Sequence, residues 1–380
     1  LIFFLINMKT NKDIFWCKNC LNMSTRPRIT FDDRGWCNAC QWMEEKKVLD
    51  WSKREKELKT LLSQYRKKDG GFDCIVPVSG GKDGSYVAHT LRHKYKMNPL
   101  TITSRPPIEL ELGKKNIANF VDSGFDHMHI TANKKAMRSL NKIGFIDMGS
   151  PYYGWLISII SAVTNVALKY EIPLIFYGED GEVEYGGSSE NKNRSIFSIE
   201  YVVRTYFEGG YDKIIKKSGL DKKELFWFSL PNSSSIDNNK ISMTHMGYFE
   251  PWDSYKNYLV AKEHCGLEES NSTNSGTFTN FSQTDQALYS LHTYMMYLKF
   301  GFGRATQDAG IEIRRGAMDR DQAVNLVRLY DGHYPEEFIE TYLDYYQMTM
   351  IEFDAVLDKW TNKDLFEKVD GRWKPVFVIK

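Results

Sequence analysis

The sequence has almost no net charge. Its 380 residues contain 50 Lys and Arg against 49 Asp and Glu, for a formal charge of +1 at pH 7. Proteins that bind nucleic acid over a broad surface usually have more basic than acidic residues, so this balance argues against a nucleic-acid partner. Hydrophobic residues make up 42% and charged residues 26%, which excludes a mostly disordered or fibrous chain. The length predicts two or three structural units.

Two segments resemble membrane signals but lack their defining features. The uncharged run 152–168 (YYGWLISIISAVTNVAL) is shorter than the ~20 apolar residues that span a bilayer, and it contains Ser, Thr and Asn. It predicts a helix buried against a sheet. The apolar residues 1–7 (LIFFLIN) lack a basic n-region and a cleavage site, and Met8 is a candidate start. No membrane partner is therefore expected.

Cysteine is scarce after residue 40. Only Cys74 and Cys265 occur in that part of the chain. A small disulfide-stapled secreted protein would distribute its cysteines through the chain. The pattern instead favours reduced thiols in a cytoplasmic protein. Neither of these two cysteines is predicted to have a chemical role.

The other four cysteines form two C-x2-C pairs, Cys17 with Cys20 and Cys37 with Cys40, separated by sixteen residues. This spacing is typical of zinc sites in which two tight turns supply four thiolates to one tetrahedral ion. Because protein fills all four positions, the predicted Zn²⁺ is structural. An iron–sulfur cluster is the main chemical alternative. The remaining alternatives to a zinc site are two redox-active cysteine pairs or a spacing that arose by chance.

Four regions follow one another along the chain. They are a four-cysteine zinc module (14–42), an amphipathic linking helix (43–71), an α/β core (72–187) and a mostly helical region with the substrate site (188–380). In the core, apolar strand candidates at 73–78, 100–103, 127–130 and 174–177 alternate with helical stretches.

This alternation predicts an open parallel sheet. Ligands of such sheets bind beyond the carboxyl ends of the strands. The loops 79–85, 103–107 and 178–187 are therefore expected to share one pocket.

A glycine-rich loop, SGGKDGS at 79–85, stands between the first strand and a helix. Successive backbone N–H groups and a helix N-terminus make such a loop an anion site, and Lys82 adds a positive charge. The loop matches neither G-x-x-x-x-G-K-S/T nor G-x-G-x-x-G. A plain strand-to-helix turn is the alternative. The candidate phosphate-binding residues are Ser79, Gly80, Gly81, Lys82, Asp83, Gly84, Ser85 and Thr103.

An acidic, glycine-rich segment, GEDGEVEYGG at 178–187, follows the last strand candidate. Carboxylate oxygens near a pyrophosphate are natural ligands of Mg²⁺. Glu179 and Asp180 are the predicted magnesium ligands, and a solvated acidic loop is the alternative.

Basic residues outside the loop are weaker candidates. Arg105 follows the second strand and Arg304 lies in a later basic cluster. Both are positioned to bind an anionic substrate, although surface cations are the commoner explanation. The histidines form no catalytic pattern: His89 and His93 are four residues apart, but Thr90 replaces the Glu of H-E-x-x-H.

The loop resembles the S-G-G-x-D-S pyrophosphate loop of the ATP pyrophosphatase superfamily, whose fold is the adenine-nucleotide alpha-hydrolase (PP-loop ATPase) type. The usual Ser after the Asp is Gly84 here, with Ser85 one place on. The resemblance implies cleavage of ATP between its α and β phosphates and adenylation of a carbonyl oxygen.

The combined motifs resemble the N-acetyl sugar amidotransferases over nearly the whole chain. They are the four-cysteine module with TRPRITFD (25–32), IVPVSGGKDGSY (75–86), Gly178-Glu179 and EYGG (184–187). The family converts a sugar N-acetyl group to an acetamidino group in bacterial surface polysaccharide, lipopolysaccharide or flagellin-glycan pathways, including those of pseudaminic or legionaminic acid.

The resemblance also implies the cofactors, partner and site residues. ATP and Mg²⁺ would act on a sugar that is expected to be nucleotide-linked. A separate glutaminase resembling that of histidine biosynthesis would supply ammonia. The implied catalytic residues are Lys82, Asp83 and Glu179, and the implied substrate-binding residues are Arg105, Glu184, Tyr185 and Arg304.

Two other functions stay open. A tRNA-thiolating enzyme could share the fold, but it would favour a basic surface and often a cysteine pair near the ATP site, where this chain has only Cys74. A zinc-ribbon interaction protein with a vestigial ATP loop is the alternative outside the enzymes.

Overall fold

The computed structural model describes residues 14–238 and 241–379. The apolar segment 1–7 and the candidate start Met8 lie outside the described residues. Within the described ranges, none of the helices combines the length and the apolar character needed to cross a bilayer.

Five parallel strands form the central sheet, in the order β3-β2-β1-β4-β5, and two antiparallel strands form a hairpin near the C-terminus. The strands are β1 Cys74–Pro77, β2 Pro99–Ser104, β3 His127–Ile130, β4 Leu174–Tyr177, β5 Ser242–His245, β6 Phe366–Val369 and β7 Arg372–Pro375.

Helices cover both faces of the sheet and make up most of the C-terminal half. They are α1 Asn38–Val48, α2 Trp51–Tyr65, α3 Lys82–His89, α4 Glu111–Asp122, α5 Lys134–Met148, α6 Tyr153–Lys169, α7 Gly181–Tyr185, α8 Ile199–Thr205, α9 Tyr211–Ser218, α10 Ser233–Asn238, α11 Met246–Phe249, α12 Ser254–Cys265, α13 Leu288–Phe300, α14 Arg304–Arg314, α15 Arg320–Tyr330, α16 Ile339–Tyr346 and α17 Met350–Trp360. A π-helical turn (Thr90–Lys94) extends α3, and 3₁₀ turns occupy Lys222–Glu224, Phe226–Phe228 and Glu336–Phe338.

Alternate residues of the central strands face opposite helical layers. In β1, Cys74 and Val76 pack in the cluster that includes Phe120 of α4, whereas Ile75 packs in the cluster that includes Ile157 of α6. A strand buried on both faces needs apolar side chains at successive positions. This explains the continuous apolar runs in β1 and β4, and the uncharged run 152–168 is the predicted buried helix.

The predicted fold class is confirmed. The chain has an open parallel sheet with the glycine loop after β1, a four-cysteine cluster near its N-terminus and a helical C-terminal part. The sequence Thr349-Met350-Ile351-Glu352 has the S/T-x-x-E pattern of a capping box, and the box is present, since the Thr349 hydroxyl accepts from the N–H of Glu352 and the Glu352 carboxylate accepts from the N–H of Thr349.

The structure differs from the predicted linking helix of 43–71. Two helices, α1 and α2, replace it because Asp50 accepts a hydrogen bond from the N–H of Lys53 at 2.9 Å and begins a new helix. The prediction of one amphipathic helix placed Val48 on its apolar face. In the structure Val48 is 85% exposed, at the end of α1.

Two core elements have no counterpart in the sequence prediction, namely α5 and β5. Strand β5 extends the sheet beyond the 72–187 predicted for the core, by parallel pairing with β4. Its sequence, SMTH, lacks the apolar run of the other central strands. The helix α10 likewise lies in a Ser- and Asn-rich part of the sequence, a composition that by itself favours a loop.

Candidate functional site

The glycine loop joins the carboxyl end of β1 to α3, and close packing against α4 requires a glycine at position 80. Gly80 has a φ of +78°, and a Cβ there would lie 2.5 Å from the backbone nitrogen of Ile117. Gly81 is the N-cap of α3. The loop therefore runs against α4 and presents the amino end of α3, where backbone N–H groups are free to bind an anion.

Gly84 is the position at which the resembling loops carry Ser. A Cβ at Gly84 would lie 2.6 Å from the carbonyl oxygen of Pro77 and 3.0 Å from the Cα of Val78. The first turn of α3 thus packs directly on the end of β1. Backbone contacts of this kind leave no room for a side chain, which accounts for the departure from the family pattern.

We expect Gly84→Ser to destabilise the protein by about 1–3 kcal/mol, the usual cost of overpacking a close contact. Gly81→Ser is the matched control, because a Cβ at Gly81 meets only the Ser79 hydroxyl, at 3.4 Å, and Ser is a favourable N-cap. Urea unfolding of both variants measures the difference. Equal stabilities would contradict the packing argument.

A cavity of about 210 Å³ opens at the glycine loop. Its walls come from three parts of the chain: the loop, the segment after β4, and residues 281–304 of the C-terminal half. The lining residues are Ser79, Gly81, Lys82, Asp83, Gly84, Glu179, Tyr185, Phe281, Ser282, Gln283, Thr284, Asp285, Tyr289 and Arg304.

Two carboxylates and an ammonium group lie together in this cavity. Lys82 forms an ion pair with Asp83, whose other oxygen accepts a hydrogen bond from Nδ2 of Asn257 at 3.2 Å. Glu179 accepts a hydrogen bond from the hydroxyl of Tyr185 at 3.0 Å. Burial and the neighbouring charge of Asp83 raise the pKa of Glu179 to about 7. Such a site favours a bound cation, which would relieve the repulsion between the carboxylates.

The C-terminal half contributes a buried guanidinium to the same cavity. Arg304, in the first turn of α14, donates from Nε to Asp308 at 2.9 Å. Asp308 also accepts a hydrogen bond from the hydroxyl of Thr277 at 2.6 Å. The ion pair holds the guanidinium in place, so that Arg304 offers a fixed positive charge to an anionic ligand.

Asp285 is, after Glu179, another acidic residue of the cavity whose pKa is raised. Its Oδ2 is buried and has no hydrogen-bond partner in the part of the chain that the structure describes. Burial raises the pKa of Asp285 to about 7. The carboxyl group is therefore neutral in the folded protein at a pH where an unfolded chain would carry the charge.

The stability advantage of Asp285→Asn over the wild type is expected to grow with pH. Since the folded pKa exceeds the unfolded value of about 3.9, the native carboxyl binds a proton that the unfolded chain releases, and its stabilising effect is lost as pH rises through about 7. We expect the advantage to increase by roughly 2 kcal/mol between pH 5 and pH 8. Urea unfolding at both pH values measures it, with the exposed Asp126→Asn as control. A pH-independent difference would refute this account.

Several predicted residues lie outside the cavity. Thr103 is buried in β2, with its hydroxyl donating to the carbonyl of Val78, and Ser85 is only 1% exposed inside α3. Gly80 shapes the loop without lining the cavity. Of the two loop hydroxyls, the structure thus presents that of Ser79 to a ligand.

The carboxylate of Asp180, a predicted magnesium ligand, does not line the cavity beside the carboxylate of Glu179. Asp180 is the N-cap of α7, where its carboxylate accepts from the N–H of Glu182 at 3.0 Å. It also accepts hydrogen bonds from the hydroxyls of Tyr201 at 3.1 Å and Tyr206 at 2.9 Å. The start of α7 therefore directs this carboxylate away from the glycine loop, and Asp83 takes the place beside Glu179.

The predicted substrate residues are divided between different places. Tyr185 and Arg304 line the cavity, but Glu184 accepts hydrogen bonds from Trp42 and Lys46 of α1, each at 2.8 Å. Arg105 lies in another cavity, where it forms an ion pair with Glu109. The expected shared pocket of the three loops thus forms without the loop 103–107.

The four cysteines converge on one point. The Sγ atoms of Cys20 and Cys37 are 3.6 Å apart, and Cys40 lies 3.7 Å from both Cys17 and Cys37. All four are buried, without disulfides, and their sulfurs lie within 4.8 Å of one another. A tetrahedral ion with metal–sulfur bonds of about 2.3 Å has sulfur–sulfur edges of about 3.8 Å. The donor set and its spacing therefore fit a tetrathiolate metal.

The cysteine module also holds the segment that carries Tyr185. Asn22 donates to the carbonyl of Tyr185 at 2.9 Å, and Asn38 donates to that of Gly187 at 2.6 Å. Arg28 makes two hydrogen bonds to Glu182, both at 2.7 Å. Through these contacts the four-cysteine module positions one wall of the cavity.

Sequence reasoning missed the residues that close the cavity from the C-terminal half. They include Phe281, Ser282, Gln283 and Thr284, at the end of the stretch 270–284, whose Ser-, Thr- and Asn-rich composition favours a loop and indicates no site. Asn257 on α12, which holds Asp83, likewise carried no motif. Their roles depend on long-range contacts, for which a single sequence contains no local signal.

Comparison with known proteins gives three similarities. Residues 275–379 match the family model of the LPS biosynthesis protein WbpG-like, C-terminal domain. A stretch of 87 residues is 32% identical to an uncharacterized protein of Methanocaldococcus jannaschii, and it covers 23% of this chain and 31% of that protein. This chain therefore spans about a third of the length of that relative.

The third similarity is to a solved structure, the U34-tRNA thiolase NcsA from Methanococcus maripaludis with its 4Fe–4S cluster. It covers 70% of this chain and 79% of that chain at 15% identity, with a TM-score of 0.33. The matched residues 275–379 include Thr284, Asp285, Tyr289 and Arg304, which line the cavity at the glycine loop. Residues 275–379 are thus similar to the C-terminal domain of the WbpG-like LPS biosynthesis proteins, and this match supports the resemblance to the N-acetyl sugar amidotransferases.

Proposed function

We propose that this protein is an ATP-dependent amidotransferase that converts the N-acetyl group of a sugar, such as a nucleotide-linked one, to an acetamidino group. One observation carries the proposal. The cavity at the glycine loop is closed by residues of the C-terminal region that matches the LPS biosynthesis family. The glycine loop and the region similar to a glycan-biosynthesis domain thus line one cavity, which supports the proposal.

The reaction has a clear chemical requirement. An amide carbon resists ammonia because its oxygen is a poor leaving group. In the proposed reaction, the acetamido oxygen attacks the α-phosphorus of ATP and pyrophosphate leaves. Ammonia then adds to the carbon, and AMP departs with that oxygen. In this proposal the amino end of α3 and Lys82 would bind the leaving pyrophosphate, and Arg304 would offer a further positive charge.

The proposed metals have separate roles. Asp83 and Glu179 would hold Mg²⁺, which offsets negative charge on the phosphates. The four cysteines would hold a structural Zn²⁺. As the family resemblance implies, a separate glutaminase would supply the ammonia.

Mass spectrometry of the products tests the proposal directly. The purified chain is incubated with ATP, Mg²⁺, ammonium chloride and a panel of N-acetyl sugars and their nucleotide derivatives. We expect one sugar to become about 1 Da lighter, because NH replaces O, with AMP formed in equal amount. Absence of AMP with every sugar would refute the amidotransferase. Pyrophosphate exchange that requires tRNA would instead support the tRNA-thiolating alternative.

A further inference from the structure

A second cavity, of about 380 Å³, shares Tyr185 as a wall with the cavity at the glycine loop. We propose that it binds the body of the sugar substrate, an N-acetyl sugar carrying a phosphate or nucleoside diphosphate. This inference rests on the proposed function. The lining residues are Met43, Lys46, Lys47, Trp51, Glu184, Tyr185, Pro251, Trp252, Asp253, Ser254, Ile311, Arg314 and Arg315.

The walls of this cavity suit a ring-shaped ligand. Trp51 and Trp252 come from distant parts of the chain and meet here with Tyr185, so that three aromatic side chains line one space. Aromatic faces bury the apolar surface of a sugar or base, while their polar edges and neighbours bind hydroxyl groups. A mostly apolar lining with a few polar groups is typical of small-molecule sites.

The charges of the cavity favour an anionic ligand. Four basic residues line it against two acidic ones. Glu184 is already paired with Lys46 at 2.8 Å, and Arg315 is paired with Glu312 at 3.0 Å. Lys47 is exposed at the end of α1. A phosphate or diphosphate on the sugar would find its counter-charge among these side chains.

The cavity borders the segment that carries the carboxylates of the glycine-loop site. The ring of Trp252 packs on Gly178, where an added Cβ would lie 3.0 Å from that ring and 3.4 Å from the Cβ of Asp83. Tyr185 donates its hydroxyl to Glu179 at 3.0 Å. A sugar bound against Trp252 and Tyr185 would therefore place its N-acetyl group beside Asp83 and Glu179.

A larger cavity, of about 480 Å³, is the competing site. It contains Arg105, Lys134, Lys135 and Arg138 and would also attract an anion. It shares no lining residue with the cavity at the glycine loop. Charge alone therefore does not distinguish the two cavities, but access to the reacting groups favours the one bordered by Tyr185.

Matched charge reversals test the assignment in the full-length chain. Lys47 and Lys135 are both exposed, so Lys47→Glu and Lys135→Glu are expected to fold. Calorimetry measures binding of UDP-N-acetylglucosamine and N-acetylglucosamine 1-phosphate without ATP. We expect Lys47→Glu to weaken binding at least about fivefold and Lys135→Glu to leave it within about twofold. Trp252→Phe should weaken binding of both probes. A higher affinity for UDP-N-acetylglucosamine than for N-acetylglucosamine 1-phosphate would show that the nucleoside contributes to binding. ATP affinity should stay unchanged in all variants.

The outcomes separate the inference from the proposed function. If Lys135→Glu weakens binding and Lys47→Glu does not, or if neither probe binds the wild type, the inference is wrong. If the wild type forms an acetamidino sugar while the Lys47 and Trp252 variants keep their sugar KM, the inference fails and the function stands. If the probes bind with the expected pattern but no sugar in the panel yields AMP, the proposed function fails and the binding site stands.

Discussion

Replacing Asp83 by asparagine is expected to slow ATP–pyrophosphate exchange at least about 100-fold, the usual effect of removing one preorganised polar or charged group from an active site. Asp83 is ion-paired with Lys82 and lies beside Glu179 at the amino end of α3. Without its charge, a metal would lose one of two carboxylates, and Lys82 would lose its partner. The substitution keeps the shape of the side chain, so the fold is expected to remain.

The pH profile of the residual activity gives a second readout. The negative charge of Asp83 contributes to raising the pKa of Glu179, so Asp83→Asn should lower that pKa from about 7 toward its ordinary range. The acidic limb of the profile should therefore move to lower pH. A merely structural defect would not produce this shift. Exchange within tenfold of the wild type would contradict the assigned role, and the exposed Asp321→Asn on α15 controls for a general loss of acidic charge.

Loss of the cysteine cluster is the other change with a large expected effect. We expect Cys37→Ser to abolish stoichiometric metal binding and to lower the free energy of unfolding by at least about 3 kcal/mol, since metal-binding energy at such sites is folding energy. Catalysis should fall as well, because Asn22 and Asn38 of this module hold the segment of Tyr185 and Gly187. Metal analysis, thermal unfolding and product formation measure the three effects.

Cys265→Ala is the matched control for this variant. Cys265 is also buried but lies on α12, away from the cluster, so its replacement should leave the metal content unchanged. The absorption spectrum of the wild type distinguishes the two candidate metals, because zinc thiolates are colourless and an iron–sulfur cluster absorbs visible light. A protein that keeps its activity after Cys37→Ser and after chelation would show that the module does not position the cavity.

Local features of the sequence predicted the parts of this protein whose function depends on close spacing. The two C-x2-C pairs bring four cysteine sulfurs within 4.8 Å of one another, a geometry that fits one metal ion. The glycine loop places Lys82 and Asp83 at the first turn of α3 because strand, loop and helix follow one another directly. The apolar runs of β1, β2 and β4 predicted a parallel sheet because strands buried on both faces are apolar throughout.

Longer-range features could not be predicted from these patterns. Strand β5 is polar and joins the sheet through pairing with β4, which a hydrophobic pattern does not report. Asp180 and Asp83 are both acidic residues near glycines, and the sequence alone favoured Asp180 as the magnesium ligand beside Glu179. The start of α7 turns Asp180 toward Tyr201 and Tyr206, so that Asp83 became the partner of Glu179.

The sequence by itself determined that this protein has a four-cysteine module, a glycine-rich loop between a strand of a parallel sheet and a helix, and a balanced charge. Only the tertiary structure decided which groups meet at that loop. Arg304 and Asp285 reach it from more than 200 residues away, whereas Arg105, much nearer in sequence, faces another cavity. The physical reason is that a motif depends on backbone conformation over a few residues, while a binding cavity depends on how separate elements pack against one another.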